Sequence, residues 1–279
     1  MKKYCTLMSK KFLSKSCVIA LGAAMLLQSA APALCAQDSG LPDPIGYGKK
    51  IWGDLKELPA KPAGWTSSQW YLASGVLAAT GAAFLVDENI RDYYFKHRNE
   101  DLRDVELATT HFGDSRYQVP IISGFWLGGW VFKSPVMSKI AADGAEAGII
   151  AALMITPAIC YITGRALPEK NEPPMKFKFF TPKRYSFPSG HTTAAFALAS
   201  VLDVDLRGTF GYWHTPLVYG VACGVAESRL FDGVHYLSDV IVGGAIGWSI
   251  GWWIASKKRG PSDLTLLPYP GGMKLAARF

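Results

Sequence analysis

The chain has 279 residues, of which 49% are hydrophobic, with nine tryptophans and a formal charge of +7. That length allows one large domain or two small ones around a sizeable buried core. Five lysines and no acid fall in residues 1–36, so most of the basicity sits in a leader, and no nucleic-acid footprint is left to explain.

Residues 1–36 read as a signal peptide. Lys2, Lys3, Lys10, Lys11 and Lys15 precede an apolar run from Cys17 to Leu27, and small residues offer cleavage after Ala33 or Ala36. Leu34 is bulky where a lipoprotein signal before Cys35 wants a small residue. Beyond the leader only Cys160 and Cys223 remain, both in apolar stretches, which reads as buried free thiols rather than a disulfide framework.

Residues 37–69 read as a proline- and glycine-rich linker in which Ile51, Trp52, Leu55 and Leu58 fall near one helical face, as in a short helix lying on a surface. Six apolar segments follow: Trp70 to Val86, Val119 to Phe132, Ala147 to Gly164, Thr192 to Leu202, Pro216 to Ala226 and Val240 to Ala255. Strand-like alternation is scarce, so the expected fold is all-α, a bundle of about six helices over residues 70–256 with a basic tail at 257–279. Each segment falls short of the roughly 20 residues that cross a bilayer, so a soluble bundle competes with a membrane one. Gly243, Gly247 and Gly251 favour the membrane, because small residues four apart let membrane helices approach closely. Trp252, Trp253, Lys257, Lys258 and Arg259 then form an interfacial anchor.

Two stretches carry chemistry. In "SFPSGHTTAAFALAS", residues 186–200, a small apolar helix opens on proline, serine, glycine and histidine. A helix start presents unpaired N–H groups and the positive end of the dipole, a natural anion site. Ser189 can cap, Gly190 allows close approach to the backbone, and His191 sits at the rim. In "SRLFDGVHYLSD", residues 228–239, His235 and Asp239 are four apart and share a face if helical, so the carboxylate can orient the imidazole. Arg229 comes six residues before His235, about 240° around a continuous helix, so a break is needed, and Gly233 can supply it. An arginine for an oxyanion and two histidines suit attack by one imidazole on a phosphoryl group while the other protonates the leaving oxygen. Metal binding fits less well, since nothing else has ligand spacing and the arginine would repel a cation.

These residues resemble the type 2 phosphatidic acid phosphatase superfamily, which includes bacterial acid phosphatases and vanadium haloperoxidases. Its signature is K-x6-R-P, then P-S-G-H, then S-R-x5-H-x3-D. The second part stands as Pro188-Ser189-Gly190-His191 and the third as Ser228-Arg229, His235 and Asp239, and the likeness covers roughly Trp70 to Ala255. The resemblance implies that His235 is a nucleophile forming a phosphohistidine, that Asp239 orients it, and that His191 protonates the leaving group and later activates water. It implies that Arg229 and the backbone amides of Ser189 and Gly190 hold phosphate oxygens, and that no metal or other cofactor is used, vanadate entering only for a haloperoxidase.

The first motif departs from the pattern. Aligned on Gly164 and Pro168, "CYITGRALPEK" has Cys160 where the family has lysine and Leu167 where it has arginine. Arg165, Lys183 and Arg184 are the candidate replacements as phosphate-binding cations. Arg165 would point with residue 167 if the segment is extended and about 200° away if it is helical. Losing one preorganised oxyanion donor costs roughly a hundredfold to a thousandfold in rate.

The expectation is a phosphatase acting on a phosphomonoester or diphosphate, most of all of a lipid such as a phosphatidate, an isoprenyl diphosphate or a lipid A type, with the membrane and its lipid phosphates as partners. The alternative is a catalytically weak or inactive membrane protein that keeps the scaffold. An exported leader followed by three full spans would put the site in the cytoplasm, and the flanking loops carry twelve Lys and Arg on each side, so charge does not orient the chain. The leader favours a bacterial inner-membrane protein with a periplasm-facing site, or else a soluble periplasmic one. His97, His111 and His214 lie outside both motifs and read as packing or solvated residues.

Overall fold

Helix α1 (Pro44–Glu57) occupies the stretch read as a linker. Its apolar face explains the position: Ile51 is buried in the main core and Tyr47, Leu55 and Leu58 pack against it, whereas Trp52 is left exposed. The Tyr47 hydroxyl donates to the carbonyl of Ala142 at 3.0 Å, and Lys50 pairs with the buried Glu146 at 2.7 Å. The computed structural model describes residues 44–98, 106, 108–170, 172–181 and 186–257, with the backbone of 265–269 and 272–276. The signal peptide read at 1–36 lies outside the described residues.

Helix α2 (Ser67–His97) starts at a capping box, in which the Thr66 side chain accepts from the Gln69 amide and Gln69 accepts from the Thr66 amide. After it come α3 (Ser115–Val131), capped by Asp114, and α4 (Pro135–Gly148), capped by Ser134 with proline in its first turn. A π-helical segment, Ile149–Ile155, joins α4 to α5 (Thr156–Thr163) without a break. The run therefore begins well before the apolar segment read from Ala147. The charges that masked it are paired, Lys139 with Asp143 at 2.6 Å and Glu146 with Lys50. Helices α6 (Gly190–Phe210), α7 (Thr215–Phe231) and α8 (Leu237–Ser256) complete, among the described residues, a bundle of six long helical runs.

The most intimate contact is α6 against α8. A Cβ on Gly243 would lie 2.6 Å from the Ser189 carbonyl oxygen, one on Gly247 2.2 Å from that of Thr193, and one on Gly251 2.3 Å from that of Ala197. The glycine stripe thus lets the two backbones touch, and Ala197, Val201, Ile250 and Ile254 extend the seam into the core with Ile150, Ala151 and Ile51. Helices α2, α4 and α7 pack around this pair, and α3 packs on α4.

Three helical runs among the described residues, Ser67–His97, Pro135–Thr163 and Leu237–Ser256, are long and apolar enough to cross a membrane. Large apolar side chains on the outer faces, among them Leu77, Leu85, Trp126, Trp130 and Leu217, remain exposed, as expected of a lipid-facing surface. At the end of α8 the Lys257 ammonium lies 3.8 Å from the centre of the Trp253 ring and pairs with Asp54.

Residues 45–260 form one compact unit, and among its described residues the all-α expectation holds. The tail, by contrast, contains a two-stranded antiparallel hairpin, β1 (Thr265–Tyr269) with β2 (Gly272–Ala276), in register from Thr265 opposite Ala276 to Tyr269 opposite Gly272. The available sequence signal was the Pro-Gly-Gly at 270–272 between two short apolar runs.

Candidate active site

The two motif stretches meet where α6 and α8 begin. Ser189 caps α6, its hydroxyl accepting from the Thr192 amide at 3.4 Å and from the Thr192 hydroxyl at 2.9 Å. Its own amide donates to the Asp239 carbonyl at 3.0 Å. That bond occupies the amide and staples α6 to α8. Gly190 and His191 supply the first-turn amides of the helix.

The break foreseen at Gly233 is present. Helix α7 ends at Phe231, Gly233 has φ +66, and α8 starts at Leu237. The reversal is held by the Arg229 carbonyl, which accepts from the amides of Val234 at 3.2 Å and His235 at 3.3 Å. A Cβ at Gly233 would meet Phe95 and Arg98 within 2.3 Å, so the turn needs glycine for space as well as for conformation.

His235 consequently stands just before α8, not on it, and Asp239 lies in the first turn. The His235 Nδ1 is 2.7 Å from the Ser186 carbonyl oxygen and 3.6 Å from the nearer Asp239 oxygen. The carbonyl is thus the direct partner, a role read from sequence for Asp239. Because a carbonyl only accepts, Nδ1 carries the proton and the lone pair is at Nε2. Asp239 is fully buried; one oxygen accepts from the Ser186 hydroxyl and the Tyr236 amide, the other from Arg165.

Arg229 is nearly buried, with Nε donating to the Ser228 hydroxyl at 3.3 Å and Nη2 to Asp232 at 2.7 Å and to Thr110. The His191 ring, one-third exposed, lies within electrostatic reach of Arg229 and His235 and 4.0 Å from Asp114. Burial, and then the charge of Arg229, hold its pKa below the ordinary histidine value. Asp114 is pushed up by burial, but its bonds to the Arg116 side chain and amide outweigh this and leave it low.

Arg165 does not reach toward this mouth. It is 1% exposed and bonded to Asp87, Ser238, Asp239 and the Pro174 carbonyl. The cause is local: Gly164 takes a left-handed conformation, φ +58, that ends α5 and turns the chain inward. The buried Cys160 thiol points at the Pro188 carbonyl 3.5 Å away. Lys183 and Arg184 lie outside the described residues.

Sequence reading missed Asp87, Ser186, Thr110 and Asp114. Only Asp87 had a signal, an acid closing an apolar run that the reading cut at Val86. Among the described residues, no cluster of His, Cys, Asp or Glu is arranged to hold a metal ion.

Residues 146–260 match the PAP2 superfamily. Among curated proteins, the chain is 27% identical over 185 residues to lipid A 1-phosphatase of Porphyromonas gingivalis, a match covering 64% of this chain and 37% of that protein. It is 36% identical over 107 residues to decaprenylphosphoryl-5-phosphoribose phosphatase of Mycobacterium tuberculosis, covering 38% of this chain and 55% of that one. The matched regions thus span about a third to a half of these relatives. Among solved structures, the transmembrane PAP2-type phosphatidylglycerolphosphate phosphatase of Bacillus subtilis superposes with a TM-score of 0.50 at 23% identity, over 67% of this chain and 92% of that one, a likeness of fold. The two motif stretches, assembled at the starts of two touching helices, thus fall within the region of this chain that is similar to the PAP2 superfamily.

Proposed function

We propose that the protein is a phosphatase acting on a phosphomonoester or diphosphate of a membrane lipid. The observation that carries this is the bond from His235 Nδ1 to the Ser186 carbonyl, which leaves the lone pair on Nε2 beside Arg229 and His191. Nε2 would attack phosphorus, the phosphorus–oxygen bond to the leaving group would break, and that oxygen would take a proton from His191. Water would then attack the phosphohistidine, giving its proton to His191 and releasing orthophosphate. The low basicity of His191 in the free protein fits a group that acquires its proton when a phosphate anion arrives.

The lipid follows from the apolar outer surface and the three candidate spans. The names of the relatives give the same class, since lipid A and decaprenylphosphoryl compounds are lipid phosphates. A second reading, a scaffold with weak or no activity, is favoured by Cys160, by Leu167 and by the commitment of Arg165 and the Ser189 amide elsewhere. Phosphate release from a panel of lipid phosphates and one soluble aryl phosphate, compared with His235→Ala, separates the two. Activity lost in the variant supports the phosphatase, and equal signals support the scaffold. Preference for the aryl phosphate would refute the lipid.

The reading extends to an inner-membrane location with the site facing the periplasm, which requires that the leader not be exported, because α2 is long enough to carry the chain from one face to the other before the site. A cysteine placed at the exposed Lys176 is expected to react with a membrane-impermeant reagent added from the periplasmic side. Labelling from the cytoplasm alone would overturn this.

A further inference from the structure

We propose that Asp87 and Arg165 are positioning residues for His235, forming with Asp239 a buried charge chain that sets the imidazole from behind. The proposal rests on the phosphatase reading for its catalytic meaning, while the geometry stands by itself.

The guanidinium of Arg165 has no freedom. Nε donates to the Pro174 carbonyl at 2.8 Å, Nη1 to the Ser238 hydroxyl at 2.7 Å and to Asp239, and Nη2 to Asp87 at 2.6 Å. The Tyr236 ring lies 4.1 Å from the guanidinium carbon and the Phe84 ring 4.9 Å, so the plane of the fork is clamped as well. Asp87, on α2, is fully buried and accepts from the Ser238 amide at 3.0 Å and the Ser238 hydroxyl at 2.6 Å. A carboxylate from a different helix thereby satisfies the first turn of α8, next to the positive end of its dipole.

Asp239 passes this constraint forward. The oxygen not taken by Arg165 receives the Ser186 hydroxyl, and the carbonyl of the same Ser186 receives the His235 Nδ1 proton. Displacing Arg165 therefore moves Asp239, then Ser186, then the imidazole. Two carboxylates and one guanidinium leave a net charge of −1 behind the ring. That charge is suited to stabilise the positive charge that the ring acquires as Nε2 bonds to phosphorus. The cation left in the altered first motif thus serves the imidazole and does not touch the phosphate.

The test uses the full chain labelled with ¹⁵N-histidine in detergent, as wild type, Asp87→Asn and Arg165→Lys, with His235→Ala to assign the resonance. In both variants the His235 ring nitrogens are expected to shift or to show a second tautomer, while those of His214, near the other end of α6, stay in place. This readout needs no turnover, so a wild type that releases no phosphate would refute the phosphatase while leaving the positioning claim to stand or fall by the spectra. In active protein, kcat is expected to fall about 10- to 100-fold, as for a group misplaced by an ångström or less, with KM and inhibition by inorganic phosphate within about twofold of wild type. Asp87→Asn should add little in an Asp239→Asn background. Unchanged His235 resonances in folded Asp87→Asn would overturn the proposal. So would weakened phosphate inhibition with kcat intact, which would make Arg165 a phosphate ligand after all.

Discussion

At the starts of α6 and α8, the buried oxygens and nitrogens of Asp87, Arg165 and Asp239 are all shared out among named partners. At the other end of the same two helices the charges are held more loosely. Lys139 reaches Asp143, Asp205 and the Ala255 carbonyl while one-third exposed, and Asp203 receives Arg207 and Thr215. There, among the described residues, the buried Arg207 Nε and His214 Nδ1 have no hydrogen-bond partner. Both ends use ion pairs to tie helices together, yet around Asp87, Arg165 and Asp239 every side-chain nitrogen and oxygen has a partner. A fully satisfied network fixes a single geometry, whereas a partly satisfied one fastens without fixing. The first suits a reacting group and the second suits a bundle end.

The widest separation should come from His235→Ala against Lys139→Met. The first is expected to lower phosphate release on the order of a thousandfold or more with the fold intact. The second should leave activity within about twofold and lower the apparent melting temperature in detergent by about 5 °C. Equal losses of activity would erase the contrast between the ends.

A finer probe places one substitution at two points of the glycine stripe. Gly243→Ala would press on the Ser189 carbonyl and Gly251→Ala on that of Ala197, and each should cost about 1–3 kcal/mol of overpacking. Only Gly243→Ala should also reduce kcat, by about 10- to 100-fold, because it displaces the turn that carries His191. Thermal melts and turnover of the pair decide this.

The smallest effect is in acid. A histidine whose folded pKa lies below its unfolded value of about 6.5 binds fewer protons when native, so stability falls as pH drops through that value toward the folded one. His191→Asn should therefore lose less stability than wild type between about pH 7 and pH 5 in detergent melts. The difference should be modest because the ring is one-third exposed.

How far the site could be read from sequence depended on how locally each residue acts. Ser189 caps its own helix and Gly233 breaks its own turn, so spacing and residue type were enough. For Arg165 the sequence offers an extended or a helical segment, but the left-handed turn at Gly164 follows neither pattern and aims the side chain inward. Asp87 bonds to Ser238 across most of the chain, a pairing that no local pattern encodes. The same holds for α4, where Lys139, Asp143 and Glu146 look like a polar stretch until their partners are found in the fold.

Trp65 and Trp70 meet edge to face with their centres 5.0 Å apart, and tryptophan pairs at helix ends settle in the headgroup layer. With that pair in one layer, the rise along α2 carries Asp87 about 25 Å onward, close to the opposite face of a hydrocarbon core about 30 Å thick. His235 would then stand at the depth of the headgroups in the far leaflet. A lipid could present its phosphate there without lifting its chains from the bilayer, arriving by diffusion in two dimensions, and turnover would follow surface mole fraction rather than bulk concentration.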